Sequence, residues 1–341
     1  MDSHLLFFPQ EEPRTRQSKM APLDDTTPDN RFDSFNVFKT SYKQVDYHDI
    51  EVGILVPKDV KPGKCPVMVK FHGGGLVAGD CLYADWIGAF FVPWIHRTNA
   101  IVVLPNYRLI PEHNGADILE DLSDFWKWFN AGAVDEFLKS QTAIKDSGIS
   151  LDYGKTLVTG DSAGGYMALM SALTQPKDSI KAVFAQYPMT NYLRIEKVDE
   201  FFGQPSPPES LIAKHLAAVK PGAIVTSGVQ PERMGLSYAL AAYGHYLTYF
   251  GSDEKMWPIG LVEEKEWLPP TWIVHGDADG AVSVEDSKKF VEKYKKLDEG
   301  VEVRLEVRSG QDHGFDIAMK EDEEAWLKEG LAWVNGKWLR S

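Results

Sequence analysis

The segment Lys155-Thr-Leu-Val-Thr-Gly-Asp-Ser-Ala-Gly-Gly-Tyr166 constrains this chain more than any other. A β-branched run, Thr156 to Thr159, meets Gly160, Ser162 and Gly164, and a helix-forming stretch, Met167 to Leu173, follows. Gly-x-Ser-x-Gly between a strand and a helix predicts a turn so sharp that the serine takes a strained backbone conformation. Glycine is needed two residues either side because a Cβ there would strike the neighbouring strand or helix. Such a turn exposes the Ser162 hydroxyl at the positive end of a helix, with the Ala163 N–H beside it. A five-residue pattern of this kind recurs by chance, so its meaning depends on partners elsewhere in the chain.

The surrounding pattern supplies a fold class. Phe35 to Val56 alternates like a hairpin, and Pro57 to Lys64 reads as a turn. Pro66 to Phe71, Ala100 to Leu104, Ala182 to Ala185 and Thr271 to His275 are short apolar runs of the kind that form buried strands. Helical periodicity falls between them, over about 84–97, 117–129 and 284–297, and again over 321–334 after a strand at 301–307. This alternation predicts an α/β fold with a doubly wound, mostly parallel sheet, whose ligands bind at the carboxyl ends of the strands. From Met189 to Pro269 the alternation lapses for too long to be an ordinary connection. Expected domains are an arm over 1–45, irregular over 1–34, a core over 46–188 and 270–341, and a helical cap over 189–269. The cap carries Tyr238, Tyr243, Tyr246, Tyr249 and Phe250 on one expected helix, 236–250, as its own small core, as a pocket wall, or as both at once.

Composition narrows the partners. A formal net charge of −14 with no basic patch argues against nucleic acid and anionic membranes. The two cysteines, Cys65 and Cys81, have no metal-site spacing and read as reduced thiols. The N-terminal apolar piece is short for a secretory signal, and no run is long enough to span a bilayer. A soluble, cytoplasmic protein with a small-molecule substrate is expected, without nucleic acid or membrane insertion; homodimerisation is left open.

If Ser162 attacks a carbonyl, fixed N–H donors must meet the developing oxyanion. His72-Gly73-Gly74-Gly75 ends a predicted strand, and its bare backbone can approach closely. Gly74, Gly75 and Ala163 are the expected donors, with Gly73 shaping the turn. A base and an orienting acid should follow in the order Ser, Asp, His. Asp279 and His313 do so, each in a loop after a predicted strand. His72 and His275 read as structural neighbours, Asp161 and Asp277 as local turn carboxylates. Glu112 and Arg108 read as loop supports near the oxyanion glycines. Gly73 to Ala78 also fits a dinucleotide loop, but no prompt helix or acidic strand end accompanies it, so it is set aside.

With His72-Gly-Gly-Gly75, Asn106-Tyr-Arg-Leu-Ile-Pro-Glu-His113, Gly160-Asp-Ser-Ala-Gly-Gly165 and His313-Gly-Phe315 in place, the chain resembles the hormone-sensitive-lipase-like α/β-hydrolases. The resemblance covers about residues 45–341, and Asn114 to Leu122 and Asp124 to Trp128 look like fungal members. It implies an α/β-hydrolase fold and a carboxylesterase with neither cofactor nor metal. Two departures stand out. The family's Asp-Pro-Leu-x-Asp is replaced by Asp279-Gly-Ala-Val-Ser-Val284, where the pattern His-Gly-x-x-Asp-x-x-Val selects Asp279 over Asp277. The insertion is long, so pocket residues do not carry over. A serine hydrolase acting on largely apolar esters through an acyl-enzyme is the expectation. A lyase, cyclase or acyl transferase using the same triad is the alternative, and a non-catalytic receptor a more distant one.

Overall fold

The computed structural model describes residues 22–193, 197–228, 233–297 and 300–340. Strands β1 (Phe35–Val45) and β2 (His48–Pro57) form the expected hairpin, so the sheet begins ahead of the boundary anticipated at residue 45. There follow β3 (Gly63–Phe71), α1 (Phe91–Thr98), β4 (Ile101–Pro105), α2 (Gly115–Asn130), α3 (Ala133–Ser140), β5 (Ile149–Asp161), α4 (Ala163–Thr174) and β6 (Ala182–Gln186). The eight-stranded sheet is completed by β9 (Thr271–Gly276) and β10 (Val303–Arg308), with α9 (Val284–Lys295) between them and α10 (Ala325–Trp338) after them. Its order is β1-β2-β4-β3-β5-β6-β9-β10; β1 and β2 run antiparallel and the rest are parallel.

Both faces of this sheet are covered, which explains why its strands read as continuous apolar runs. Val67 and Val69 of β3, Val158 of β5 and Ile273 of β9 face a core with α2, α4 and α9. Their neighbours Met68, Leu157 and Trp272 face a second core with α1 and α10, including Trp94 and Trp338. Helix α2 is started by a reciprocal cap, in which Asn114 and Asp117 each accept a bond from the other's backbone N–H.

Two expected helices are broken where the sequence has a specific reason. The one over 84–97 is a short turn at Ala84–Trp86 and then α1, because Pro93 has no N–H to bond the carbonyl of Ala89. The one over 236–250 is two, α6 (Met234–Ala242) and α7 (Tyr246–Tyr249), with Gly244 at φ +70° between them. These belong to the region between β6 and β9, which also holds a small hairpin, β7 (Glu200–Phe201) and β8 (Gln204–Pro205), and helices α5 (Ser210–Ala218) and α8 (Pro258–Leu261). The region is bound to the core by backbone contacts: Gly79 and Gly228 exchange hydrogen bonds of 2.8 Å, and Leu109 N–H donates to Val225 at 2.8 Å. No helix among the described residues is long and apolar enough to cross a membrane.

Candidate active site

Every residue expected at the site lies beyond the carboxyl end of a parallel strand. Ser162 closes β5 and opens α4 with φ 56° and ψ −115°, the strained turn its glycines predict. The steric reason is direct. A Cβ on Gly160 would lie 2.2 Å from the Gly164 carbonyl oxygen, and one on Gly164 would lie 2.2 Å from that of Phe71. Both obstacles are backbone and cannot swing aside. Gly164→Ala is therefore expected to lower unfolding free energy by about 3 kcal/mol or more, read by chemical denaturation.

Asp279 follows β9 and His313 follows β10. Nδ1 of His313 lies 2.7 Å from Oδ2 of Asp279, while Oδ1 accepts the backbone N–H groups of Ala281 at 2.8 Å and Val282 at 2.7 Å. His275 approaches the same Oδ2 at 3.2 Å and is wholly buried. Its Nε2 also lies 3.0 Å from the Val282 carbonyl, so that nitrogen carries the proton. Burial alone would raise the Asp279 carboxyl; the bonds from His275 and His313, the His313 charge and the Val282 amide outweigh it and hold the group well below the usual carboxylate range.

The two loops are laced together. Asp312 accepts from Gly280 N–H at 2.8 Å and from His313 N–H at 2.7 Å, and Asp277 accepts from Gly310 N–H at 2.6 Å. Asp277 thus bridges loops where a local turn role was expected. Asp161 also departs from that reading: it pairs with buried Lys70 at 2.6 Å. Arg108 does not support the glycine loop; it is bound to Asp117, Glu120 and Asp121 of α2. Glu112 does, through Arg233, at 2.7 and 2.8 Å. His72 is buried and stacked on Tyr107 at 4.5 Å.

Gly74 and Gly75 take φ values of +101° and +65°, which favour glycine. Among the described residues, the N–H groups of Gly74, Gly75 and Ala163 donate to no protein acceptor. Together with Ser162 and His313, these glycines line one cavity of about 190 Å³. Its other walls are mainly apolar and aromatic, including Trp86, Tyr187, Tyr192, Phe202, Tyr238 and Tyr246. Of the five aromatics anticipated on the cap helix, only Tyr238 and Tyr246 reach it. Phe250 instead packs on Tyr166 and Trp257, and Tyr243 meets Lys197.

Some contributors carried no sequence signal. Tyr187 lies against the His313 ring at 4.5 Å, and its hydroxyl donates to Asp316 at 2.9 Å. Gln186 donates to the same carboxylate at 2.6 Å. Burial raises the Asp316 carboxyl from its ordinary value. Only the proximity of Asp316 to His313 in the chain hinted at its place.

A strained serine at the end of a central parallel strand, in a sheet of this order, defines an α/β hydrolase. A family model described as the α/β hydrolase fold matches residues 68–219, and one for the prolyl oligopeptidase family matches 240–339. A probable carboxylesterase, M8, of a Phoma species is 29% identical over 324 residues, covering 91% of this chain and 98% of its own. Another, clz11 of Cochliobolus lunatus, is 30% identical over 195 residues, 54% of this chain and 87% of its own. The solved structure of Thermogutta terrifontis esterase 2 shares the fold, with a TM-score of 0.55 at 21% identity over 90% of this chain and 92% of that one. The chain belongs to the hormone-sensitive-lipase-like α/β-hydrolase family, in its fungal-type branch.

Proposed function

We propose that this carboxylesterase-type hydrolase cleaves esters of uncharged, largely apolar small molecules through an acyl-enzyme on Ser162. The observation that carries the reading is the Asp279–His313 bond, whose imidazole lines the same cavity as a serine held at φ 56°. With Nδ1–H committed to Asp279, Nε2 of His313 has the lone pair a base needs. Ser162 Oγ then adds to the ester carbonyl as its proton passes to Nε2. The carbonyl oxygen takes the negative charge against the N–H groups of Gly74, Gly75 and Ala163. Collapse breaks the bond to the alcohol, which leaves with the proton from His313. Water repeats the sequence in reverse roles, freeing the acid and Ser162. Asp279 keeps the imidazole oriented and offsets its charge throughout.

The wall chemistry supports the substrate class. The carboxylate among its lining residues, Asp161, is paired with Lys70, and among the described residues no lysine or arginine lines the cavity. Walls of this kind favour apolar groups, for which the aromatic rings offer contact, over charged ones. The reading is tested by treating the protein with a fluorophosphonate and locating the adduct by peptide mass spectrometry. The expected result is one adduct, on Ser162, with turnover of p-nitrophenyl butyrate that the label abolishes. An unlabelled Ser162, or tight binding of the ester without hydrolysis, overturns it.

A further inference from the structure

The loop that carries Gly74 and Gly75 is held by its carbonyl groups, one after another. The Gly74 carbonyl accepts from the N–H groups of Val77 at 3.1 Å and Ala78 at 2.9 Å, closing a turn within the loop. The Leu76 carbonyl accepts from Ile110 N–H at 2.9 Å. The two remaining anchors come from the region between β6 and β9. Tyr246 of α7 donates its hydroxyl to the Gly75 carbonyl at 2.5 Å, and Nε of Arg233 donates to the Val77 carbonyl at 2.6 Å. Arg233 is fixed in turn by Glu112 and the Ile110 carbonyl.

Glycine is required at the two positions for different reasons. A Cβ on Gly74 would meet Ala78 of its own turn, at 2.2 Å from the carbonyl oxygen. A Cβ on Gly75 would meet Ser237 Oγ at 2.3 Å and Tyr246 Oη at 2.7 Å. At the second position, besides the strain of its positive φ, a Cβ would therefore meet side chains from across the cavity. Tyr246 is 2% exposed, and its ring stands edge-on to Tyr192 at 4.8 Å, so its hydroxyl is aimed by packing. Ser237 Oγ lies 3.4 Å from that hydroxyl. Because the single Tyr246 proton goes to Gly75, Ser237 acts as the donor of that pair.

We infer that Tyr246 is a positioning residue for ester hydrolysis, its hydroxyl pinning the Gly75 carbonyl so that the neighbouring N–H groups stay aimed at the oxyanion. This rests on the oxyanion role proposed above for Gly74 and Gly75. An oxyanion hole works only if its donors are oriented before charge develops, because reorienting them during the reaction costs much of the benefit. The cap therefore contributes to catalysis through the loop as well as walling the cavity. Arg233 supports the same loop two residues further on.

The test is Tyr246→Phe, which keeps the ring and removes one oxygen. Its kcat on p-nitrophenyl butyrate is expected to fall about tenfold, less than for loss of an oxyanion donor itself, with KM within about twofold of the parent. Inhibition by an alkyl trifluoromethyl ketone, whose serine adduct carries an oxyanion, is expected to weaken in parallel. Arg233→Gln is the second variant, expected to show the same split between kcat and KM should Tyr246→Phe fold poorly. Unchanged kcat and ketone inhibition in well-folded Tyr246→Phe, or an effect on KM alone, overturns the inference. Failure of the parent protein to label at Ser162 overturns the underlying reading instead, so the two failures are told apart.

Discussion

Replacing Ser162 with alanine is expected to abolish ester turnover, with kcat falling on the order of 10⁶-fold, roughly 8 kcal/mol of transition-state stabilisation. The size follows from the chemistry proposed for the site. Without Oγ no acyl-enzyme forms, and His313 and the amides of Gly74, Gly75 and Ala163 retain only what they offer to a direct attack by water. The cavity is otherwise intact, so binding of a non-hydrolysable ester analogue should change by no more than a few-fold. Alanine must occupy the same left-handed backbone, φ 56°, so the variant keeps the strain that the wild type carries. Steady-state rates with p-nitrophenyl butyrate decide the matter. Residual turnover within about 100-fold of the parent would place the nucleophile elsewhere.

Why the strained turn at Ser162 is legible in the chain, while the contacts of Tyr246 and Tyr187 are not, has a physical basis. The turn at Ser162 is demanded by local sterics, and sterics that forbid a Cβ write glycine into the sequence at fixed spacing. The parallel sheet was legible for a similar reason: strands covered on both faces must be apolar throughout, as at Val67 to Val69 and Leu157 to Val158. Contacts between distant segments leave no such trace. Tyr246 meets Gly75 across 171 residues and Gln186 meets Asp316 across 130, and nothing beside either partner announces the other. The same blindness misplaced Asp161, whose carboxylate seeks Lys70 on the adjacent strand and not its own turn. Helix ends were misjudged where one residue overrides periodicity, as Pro93 and Gly244 do. The expected helical face 236–250 therefore dissolved into two helices that send only Tyr238 and Tyr246 to the cavity.

Asp279→Asn is expected to lower kcat about 10⁴-fold while leaving the fold intact, and the hydrogen bonds of the site explain why so small a change should cost so much. Oδ1 of Asp279 accepts two backbone N–H groups, from Ala281 and Val282, so the oxygen of an asparagine must take that place. The amide NH₂ is then forced into the position of Oδ2, facing Nδ1 of His313. It also faces Nε2 of His275, whose proton is fixed by the Val282 carbonyl, so flipping the amide brings no relief. His313 can answer only by moving its own proton from Nδ1 to Nε2. That leaves a donor where the serine proton must be received, and the base is lost with every atom still in place. The substitution has a second, independent signature. The Asp279 carboxyl is held below its ordinary value in the folded protein, so it stabilises the fold above the unfolded carboxyl pKa of about 3.9. That contribution is lost as pH falls through the lower, folded value. Asparagine does not titrate. The stability difference between wild type and Asp279→Asn, measured by denaturation, should therefore shift against the wild type as pH drops below about 4. A difference that does not change with acidity would mean that Asp279 is not the ionised partner of His313.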